Sequence, residues 1–296
     1  MATAAAGEKS AAMQGKIKRV VGLCMENQTF DRMLGFCPGV GKLTGEEFQL
    51  NARGEKVFCH DGAHPIKDHA WDPPHGFDAI TRQMWGASGP GEHLDGPPTG
   101  DFQLRAHAVL DKSAAAQKAF MGCFSPDKLP AMTTLAQEFV VFDRWFCSVP
   151  GPTSPNRMFI HAGTSAGSTA GTYLREQGLT PPESIETIFE CMDRSNPDLG
   201  WRVYGHENLK TVQAFPYVRT RPERSKLSLA QFFADCATGE LPAYSWLVPE
   251  LAWQSQHAGS GGAKLGMVPG DDLIADVYEA IRSNQKLWEE TLFLIT

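Results

Sequence analysis

The chain has 296 residues, of which 42% are hydrophobic and 21% charged, a balance that excludes a disordered or collagen-like protein. Its 27 Lys and Arg stand against 34 Asp and Glu, and the net charge of −7 argues against binding the nucleic-acid backbone as the main role. No apolar run approaches the ~20 residues that a membrane-spanning helix needs.

The first ten residues are small and polar, and we expect a flexible leader over residues 1–15 followed by one domain over residues 16–296. The nearby apolar run at residues 20–25 is shorter than a signal-peptide core of about 7–15 residues. The seven cysteines include no CxxC pair, which is typical of reduced thiols rather than of disulfides or a zinc site. These features predict a cytoplasmic protein.

Strands and helices alternate along the chain. In chain order, apolar and β-branched runs predict buried strands at residues 17–25, 139–142, 201–204, 244–248 and 292–295. Helical patterns lie between them at residues 76–85, 130–137, 184–192, 228–237 and 271–283, with loops at 35–44 and 87–100. The alternation predicts an α/β fold with a mostly parallel central sheet and helices on both faces.

Glu26 and Asn27 follow the first predicted strand directly, at the edge where open α/β sheets bind their ligands. A carboxylate beside a carboxamide offers two oxygen ligands to a divalent cation. The alternative is an ordinary loop Glu followed by a turn-forming Asn, and these two residues taken alone favour that alternative.

A proline-rich segment holds two hydroxyl residues, Thr153 and Ser154, on a stiff backbone. Pro155 fits the first position of a helix, which would place a hydroxyl nucleophile at a helix N-terminus that favours phosphate. Asn156 is a candidate donor to a phosphoryl oxygen, and Arg157 is a candidate partner for an anion. The alternative is a capped turn without a chemical role.

Two histidines, His75 and His257, lie in Gly- and Pro-rich loops, positions that suit a ligand or a proton donor to a leaving group. For each of them the alternative is a solvated loop residue. The tandem acids Asp271 and Asp272 are interpreted as the negatively charged start of a helix rather than as metal ligands.

Two of these segments carry specific motifs. MENQTFDRMLG at residues 25–35 is similar to the pattern ENRSFDH, and PTSPNR at residues 152–157 matches a Thr or Ser that stands two residues before PNR. With residues 71–86 and 273–296, they make the chain resemble the phosphoesterase family of bacterial phospholipases C, plant non-specific phospholipases C and related acid phosphatases. That family belongs to the alkaline-phosphatase-like superfamily.

The resemblance implies a metal-dependent phosphoesterase of the phospholipase C type that cleaves a glycerophospholipid through a phosphothreonine intermediate. Glu26, Asn27 and Thr153 would bind a divalent cation, and Thr153 would be the nucleophile. His75 and His257 would contact the phosphate or the leaving group. A phospholipid substrate implies transient contact with a membrane surface, and the protein would be cytoplasmic or peripheral to membranes.

The chain departs from the family pattern at several points. Arg32 and Gln28 stand where the family usually has His and Arg, and the loop around His257 lacks the following Pro and acidic residues. The family's acidic YDEHGG-like stretch follows the strand that here ends at Thr296, so we expect the C-terminal part of the family domain to be missing. The alternatives are a phosphomonoesterase of the acid phosphatase type and a truncated, non-catalytic member that binds phosphorylated ligands.

Overall fold

The computed structural model describes residues 15–63, 74–86, 113–169, 185–205, 210–250, 254–257 and 267–296. Most of the predicted leader, residues 1–14, and the predicted loop at 87–100 lie outside the described residues. None of the described helices is both long enough and apolar enough to cross a membrane.

The described strands include four that make the main sheet and four short ones. In chain order they are β1 Arg19–Leu23, β2 Phe48–Leu50, β3 Lys56–Phe58, β4 His60–Asp61, β5 Gly122–Cys123, β6 Trp201–Gly205, β7 Tyr244–Val248 and β8 Thr291–Ile295. The main sheet has the order β6-β7-β1-β8, and each neighbouring pair in it is parallel. All four strands therefore end at one edge, as the sequence predicts.

The described helices are mostly short. In chain order they are α1 Phe30–Leu34, α2 Phe77–Trp85, α3 Ala114–Met121, α4 Pro130–Glu138, α5 Thr153–Ala162, α6 Ile188–Ser195, α7 Lys210–Gln213, α8 Pro216–Arg219, α9 Pro222–Ser225, α10 Leu229–Thr238, α11 Val268–Arg282 and α12 Gln285–Glu290. The predicted helix at 184–192 begins later, at Ile188, because the Thr187 side chain accepts a hydrogen bond from the backbone N–H of Glu190 and caps the helix there.

Side chains of the sheet alternate between two apolar clusters, one on each face. On one face, Leu23 and Leu247 belong to a cluster with residues of α10 and α11. On the other face, Trp246 belongs to a cluster with residues of α5, α6, α7 and α8. Gly22 leaves room for the Trp246 ring, since a Cβ at this position would lie 2.6 Å from the ring. Helices therefore cover both faces of the sheet, and the predicted α/β class is confirmed.

The predicted strand at residues 139–142 is wrong. α4 ends at Glu138, and residues 139–146 form irregular chain with a turn at Asp143 and Arg144. The ring of Phe139 packs edge-on against Tyr278 and Trp288, with centroids 6.1 and 6.3 Å away. The apolar run resembles a buried strand, but within the described part of the chain no strand pairs with it, and most of its side chains remain exposed.

The tandem acids Asp271 and Asp272 lie near the start of α11, as predicted. The Asp271 side chain, however, caps a different helix, α4. Its buried carboxylate accepts hydrogen bonds from the backbone N–H groups of Ala131 and Met132, at 2.8 and 2.9 Å. These N–H groups open α4 and have no partner within that helix. Asp271 therefore caps α4 from α11 and fixes the two helices to each other.

Candidate active site

Glu26 and Asn27 lie at the carboxyl edge of the sheet, just after the end of β1. The strand ladder continues past β1, because Met25 N–H donates to the carbonyl of Thr296 at 2.7 Å. Asn27 then adopts a left-handed conformation with φ of 55°, which Asn tolerates better than most residues. This turn ends the strand and directs the two consecutive side chains to different partners.

The first partner is Thr153, the first residue of α5. Its hydroxyl Oγ1 donates a hydrogen bond of 2.9 Å to Glu26 Oε1. The prediction that Pro155 opens this helix is wrong by two residues: Pro152 is the N-cap, and it offers no side-chain hydrogen bond to the first turn. The N–H groups at this end therefore have no cap from the Pro152 side chain, and a helix N-terminus of this kind favours an anion.

The structure separates the two candidate hydroxyls. Ser154 is buried, whereas Thr153 is partly exposed and reaches Glu26 at the sheet edge. Pro155 in the first turn costs the helix no hydrogen bond, because N–H groups there have no intrahelical acceptor. Of the two, Thr153 is the hydroxyl that a substrate at this edge can meet.

Asn156 holds the loop that precedes α5. Its Oδ1 accepts from the backbone N–H of Val149 at 2.9 Å, and its Nδ2 donates to the carbonyls of Val149, Gly151 and Pro152 at 2.9, 3.3 and 3.0 Å. Donation to a phosphoryl oxygen, the role predicted for Asn156, requires some of these bonds to break. Its observed contacts position the backbone next to Thr153.

Arg157 lies buried behind Glu26. Its Nη2 is 4.0 Å from Glu26 Oε2, so the anion that it meets in this structure is the Glu26 carboxylate. Burial raises the pKa of the neighbouring Cys24 thiol, and the positive charge of Arg157 opposes that rise. Arg157 thus places a positive charge beside a carboxylate that is only partly in solvent.

The second partner is His257. Asn27 Nδ2 lies 3.3 Å from His257 Nε2, and the ring of His257 meets that of His75 edge-on, with centroids 5.6 Å apart. The structure therefore brings together the five residues predicted to bind the metal or carry the chemistry. They form two contacting groups, Glu26 with Thr153 and Asn27 with His257 and His75, and the peptide bond between Glu26 and Asn27 joins the two groups.

Two further residues, to which the sequence assigned no role, support the loop of His257. Gln28 donates from Nε2 to the carbonyl of Gln256 at 2.6 Å, and the Ser255 hydroxyl accepts from the backbone N–H of His257 at 3.1 Å. Gln28 is one of the departures from the family motif, which was the available signal that it has a local role. Here it ties the β1 edge to the loop of His257.

Arg32, the other departure, serves the fold. Its Nη1 donates to the carbonyls of Ala119, Phe120 and Gly122 at 2.7–3.2 Å, and its guanidinium lies over the ring of Phe124. Burial lowers its pKa to about 10, so it stays charged at neutral pH. Arg32 therefore anchors α1 to the end of α3.

The donors at this edge are of the kind that hard cations prefer. Glu26 contributes a carboxylate, Asn27 an amide and Thr153 a hydroxyl. Glu26 and Asn27 are consecutive in the chain, and Thr153 is hydrogen-bonded to Glu26. Within the described residues no group of three His, Cys, Asp or Glu is placed to hold a metal ion. A cation here would take the rest of its ligands from water or from other residues.

Comparison with known proteins shows the family of the chain. The sequence profile of the Phosphoesterase family matches residues 17–296. Non-specific phospholipases C6 and C1 of Arabidopsis thaliana are 32% and 31% identical over 96% and 98% of the chain. Phospholipase C B of Mycobacterium tuberculosis is 25% identical over 94% of it. The chain spans 53% of each of the two plant proteins and 57% of the mycobacterial one, about half of their length. The chain belongs to the Phosphoesterase family.

Proposed function

We propose that the protein is a metal-dependent phosphoesterase of the phospholipase C type, which hydrolyses a glycerophospholipid through a covalent intermediate on Thr153. The observation that supports it most is the hydrogen bond from the Thr153 hydroxyl to Glu26 at the open N-terminus of α5. The relatives named as phospholipases C supply the substrate class. The proposal includes an alkaline-phosphatase-like fold. It also includes a cytoplasmic location with transient contact with membrane surfaces.

In the first step, the Thr153 oxygen attacks the phosphorus while its proton moves to Glu26 Oε1, the acceptor that it already contacts. The bond between phosphorus and the diacylglycerol oxygen breaks, and a proton from His75 or His257 goes to that oxygen. The N–H groups of the first turn of α5 stabilise the charge on the phosphoryl oxygens.

In the second step, water attacks the phosphorus of the Thr153 ester and gives a proton to the histidine that lost one in the first step, while the threonine oxygen leaves with the proton held by Glu26. The products are diacylglycerol and the phosphorylated headgroup, and Thr153 is regenerated. Arg157 keeps Glu26 in place through both steps by charge attraction from the buried side.

Glu26, Asn27 and Thr153 are the residues that would hold the divalent cation. When bound, the cation would lower the pKa of the hydroxyl and offset the negative charge of the phosphate. The remaining work at the site belongs to the side chains described above.

The test compares Thr153→Ala and Thr153→Ser with a neighbouring control, Ser154→Ala. Diacylglycerol release from phosphatidylcholine vesicles is measured with each of several divalent cations. We expect Thr153→Ala to lose about 10³-fold or more, Thr153→Ser to keep part of the activity, and Ser154→Ala to stay within a few-fold of the native protein. Acid quenching followed by mass spectrometry should find the headgroup phosphate on residue 153.

Two outcomes would contradict the proposal. Undiminished turnover by Thr153→Ala would exclude the nucleophile. Hydrolysis of an aryl phosphomonoester, with no release of diacylglycerol, would instead indicate the phosphomonoesterase alternative.

A further inference from the structure

The four most exposed large apolar side chains among the described residues lie in the chain between α4 and α5. We call residues 140–146 the aromatic turn. Val140, Phe142, Trp145 and Phe146 in it are 80%, 62%, 72% and 76% exposed. Burying a large apolar side chain is worth roughly 1.5–3 kcal/mol, so an exposed group of this kind usually marks a contact surface.

The aromatic turn has a definite shape. The rings of Phe142 and Trp145 lie 6.1 Å apart and flank the bend at Asp143 and Arg144. Lys42 Nζ, on the loop after α1, lies 2.6 Å from Asp143 Oδ2. This surface ion pair connects the turn to the loop after α1.

Two positively charged side chains accompany the rings. Lys42 and Arg144 carry these charges, Asp143 and Glu138 carry two negative ones, and this part of the chain is balanced although the net charge of the whole chain is −7. A second copy of this chain carries the same net charge and is repelled, whereas a zwitterionic lipid surface has no net charge and offers phosphates to the two cations. Trp and Phe beside Lys and Arg are the side chains that settle in the interfacial region of a bilayer.

The aromatic turn is also next to the candidate active site along the chain. Phe146 stands three residues before Val149, the residue that Asn156 holds through both its backbone N–H and its carbonyl. Three residues span at most about 11 Å, so the turn lies close to the start of the loop that precedes Thr153. Insertion of the rings into a lipid surface would bring that loop to the level of the headgroups.

We propose that the aromatic turn is a membrane-contacting surface that seats on the headgroup layer of a phospholipid bilayer, with Phe142, Trp145 and Phe146 as the inserted side chains. The proposal rests on the proposed function for its choice of a lipid partner, but binding is measured apart from turnover. It gives the chain a way to reach a lipid substrate at the surface of a bilayer.

The test uses sedimentation of the whole chain with sucrose-loaded phosphatidylcholine vesicles. The variant is Trp145→Ala/Phe146→Ala, and the matched control is Phe48→Ala/Phe58→Ala, an exposed aromatic pair on the β2–β3 hairpin. We expect the first to lower the vesicle partition coefficient about tenfold or more and the second to leave it nearly unchanged. Circular dichroism confirms that both variants fold.

Hydrolysis of a water-soluble, monomeric phosphocholine ester separates the two proposals. Equal activity of the turn variant on this ester, with lower activity on vesicles, supports the membrane surface. Vesicle binding that depends on the turn but is accompanied by no hydrolysis of either substrate supports the surface and contradicts the function. Equal vesicle binding by both variants overturns the surface, and so does a dimer in sedimentation velocity that the turn variant abolishes.

Discussion

The hydroxyl of Thr153 donates to the carboxylate of Glu26 across 2.9 Å, although 127 residues separate them in the sequence. The contact exists because β1 delivers Glu26 to the carboxyl edge of the sheet and α5 begins at that same edge with Thr153. One helical turn further along α5, Arg157 faces the other oxygen of Glu26. A single helix therefore carries both the proton donor to this carboxylate and the cation behind it.

Replacing Arg157 tests whether it positions Glu26. We expect Arg157→Met, which keeps much of the buried stem, to lower kcat on phosphatidylcholine about 10- to 100-fold with a smaller change in KM, because Glu26 loses the charge that holds it. Arg282→Met, on the exposed end of α11, is the control and should leave both constants unchanged. A rise in KM alone would show instead that Arg157 binds the substrate.

Asn156→Asp tests the loop-holding role at nearly constant shape. The carboxylate can still accept from Val149 N–H, but it turns the donor to the three loop carbonyls into an acceptor. We expect the free energy of unfolding to fall by about 2–3 kcal/mol, measured by urea denaturation. In the control Asn196→Asp, the side-chain contact among the described residues is one that accepts from the Asp198 N–H, which a carboxylate keeps, so the loss should be small. Equal losses in the two variants would contradict the role.

The cap across helices gives another matched pair. Asp271 accepts from two N–H groups of α4, and Asp272 beside it is exposed. Because an amide offers one acceptor oxygen where the carboxylate offers two, Asp271→Asn should destabilise the fold by about 1–2 kcal/mol in urea. Asp272→Asn keeps the same change of charge without the contacts and should cost less than about 0.5 kcal/mol.

Much of the fold could be predicted from the sequence, because the elements of the sheet follow local apolar patterns. The strand at Tyr244–Val248 was located to the residue, and the strand that ends before Glu26 placed that carboxylate correctly. The error at residues 139–142 has a physical reason. An apolar run carries the same signal whether it pairs within a sheet or stands exposed, and the neighbouring strand decides between the two.

The site could be predicted only in part. The types and order of its residues are visible in the sequence, but the contact between Asn27 and His257 depends on how distant loops meet. The amide of Asn156 suits a phosphate oxygen and a backbone carbonyl equally well, and only the structure shows that it binds the loop. The guanidinium of Arg157 likewise suits a phosphate or a carboxylate, and only the structure shows that it lies beside the carboxylate of Glu26.

His161, one turn after Arg157 on α5, predicts a pH dependence of stability. Its ring is fully buried against Phe189 and Trp246, with centroids 5.3 and 5.0 Å away, and neither nitrogen has a hydrogen-bond partner among the described residues. Burial, and then the charge of Arg157, lowers the pKa of His161 from 6.5 to about 3. The imidazole is therefore neutral in the folded protein at every pH above that value.

In the unfolded chain the same imidazole takes up a proton near pH 6.5, so unfolding binds a proton between about pH 6.5 and pH 3. Stability is complete above this window and falls as the pH drops through it, by up to about 1.4 kcal/mol per pH unit from this residue. Urea denaturation at several pH values should show that His161→Phe flattens the dependence by about this slope. His161→Leu, with a smaller side chain, separates packing from titration, because it must flatten the slope equally whatever it costs at pH 7.5. Slopes identical to the native protein in both variants would mean that the ring is protonated in the fold.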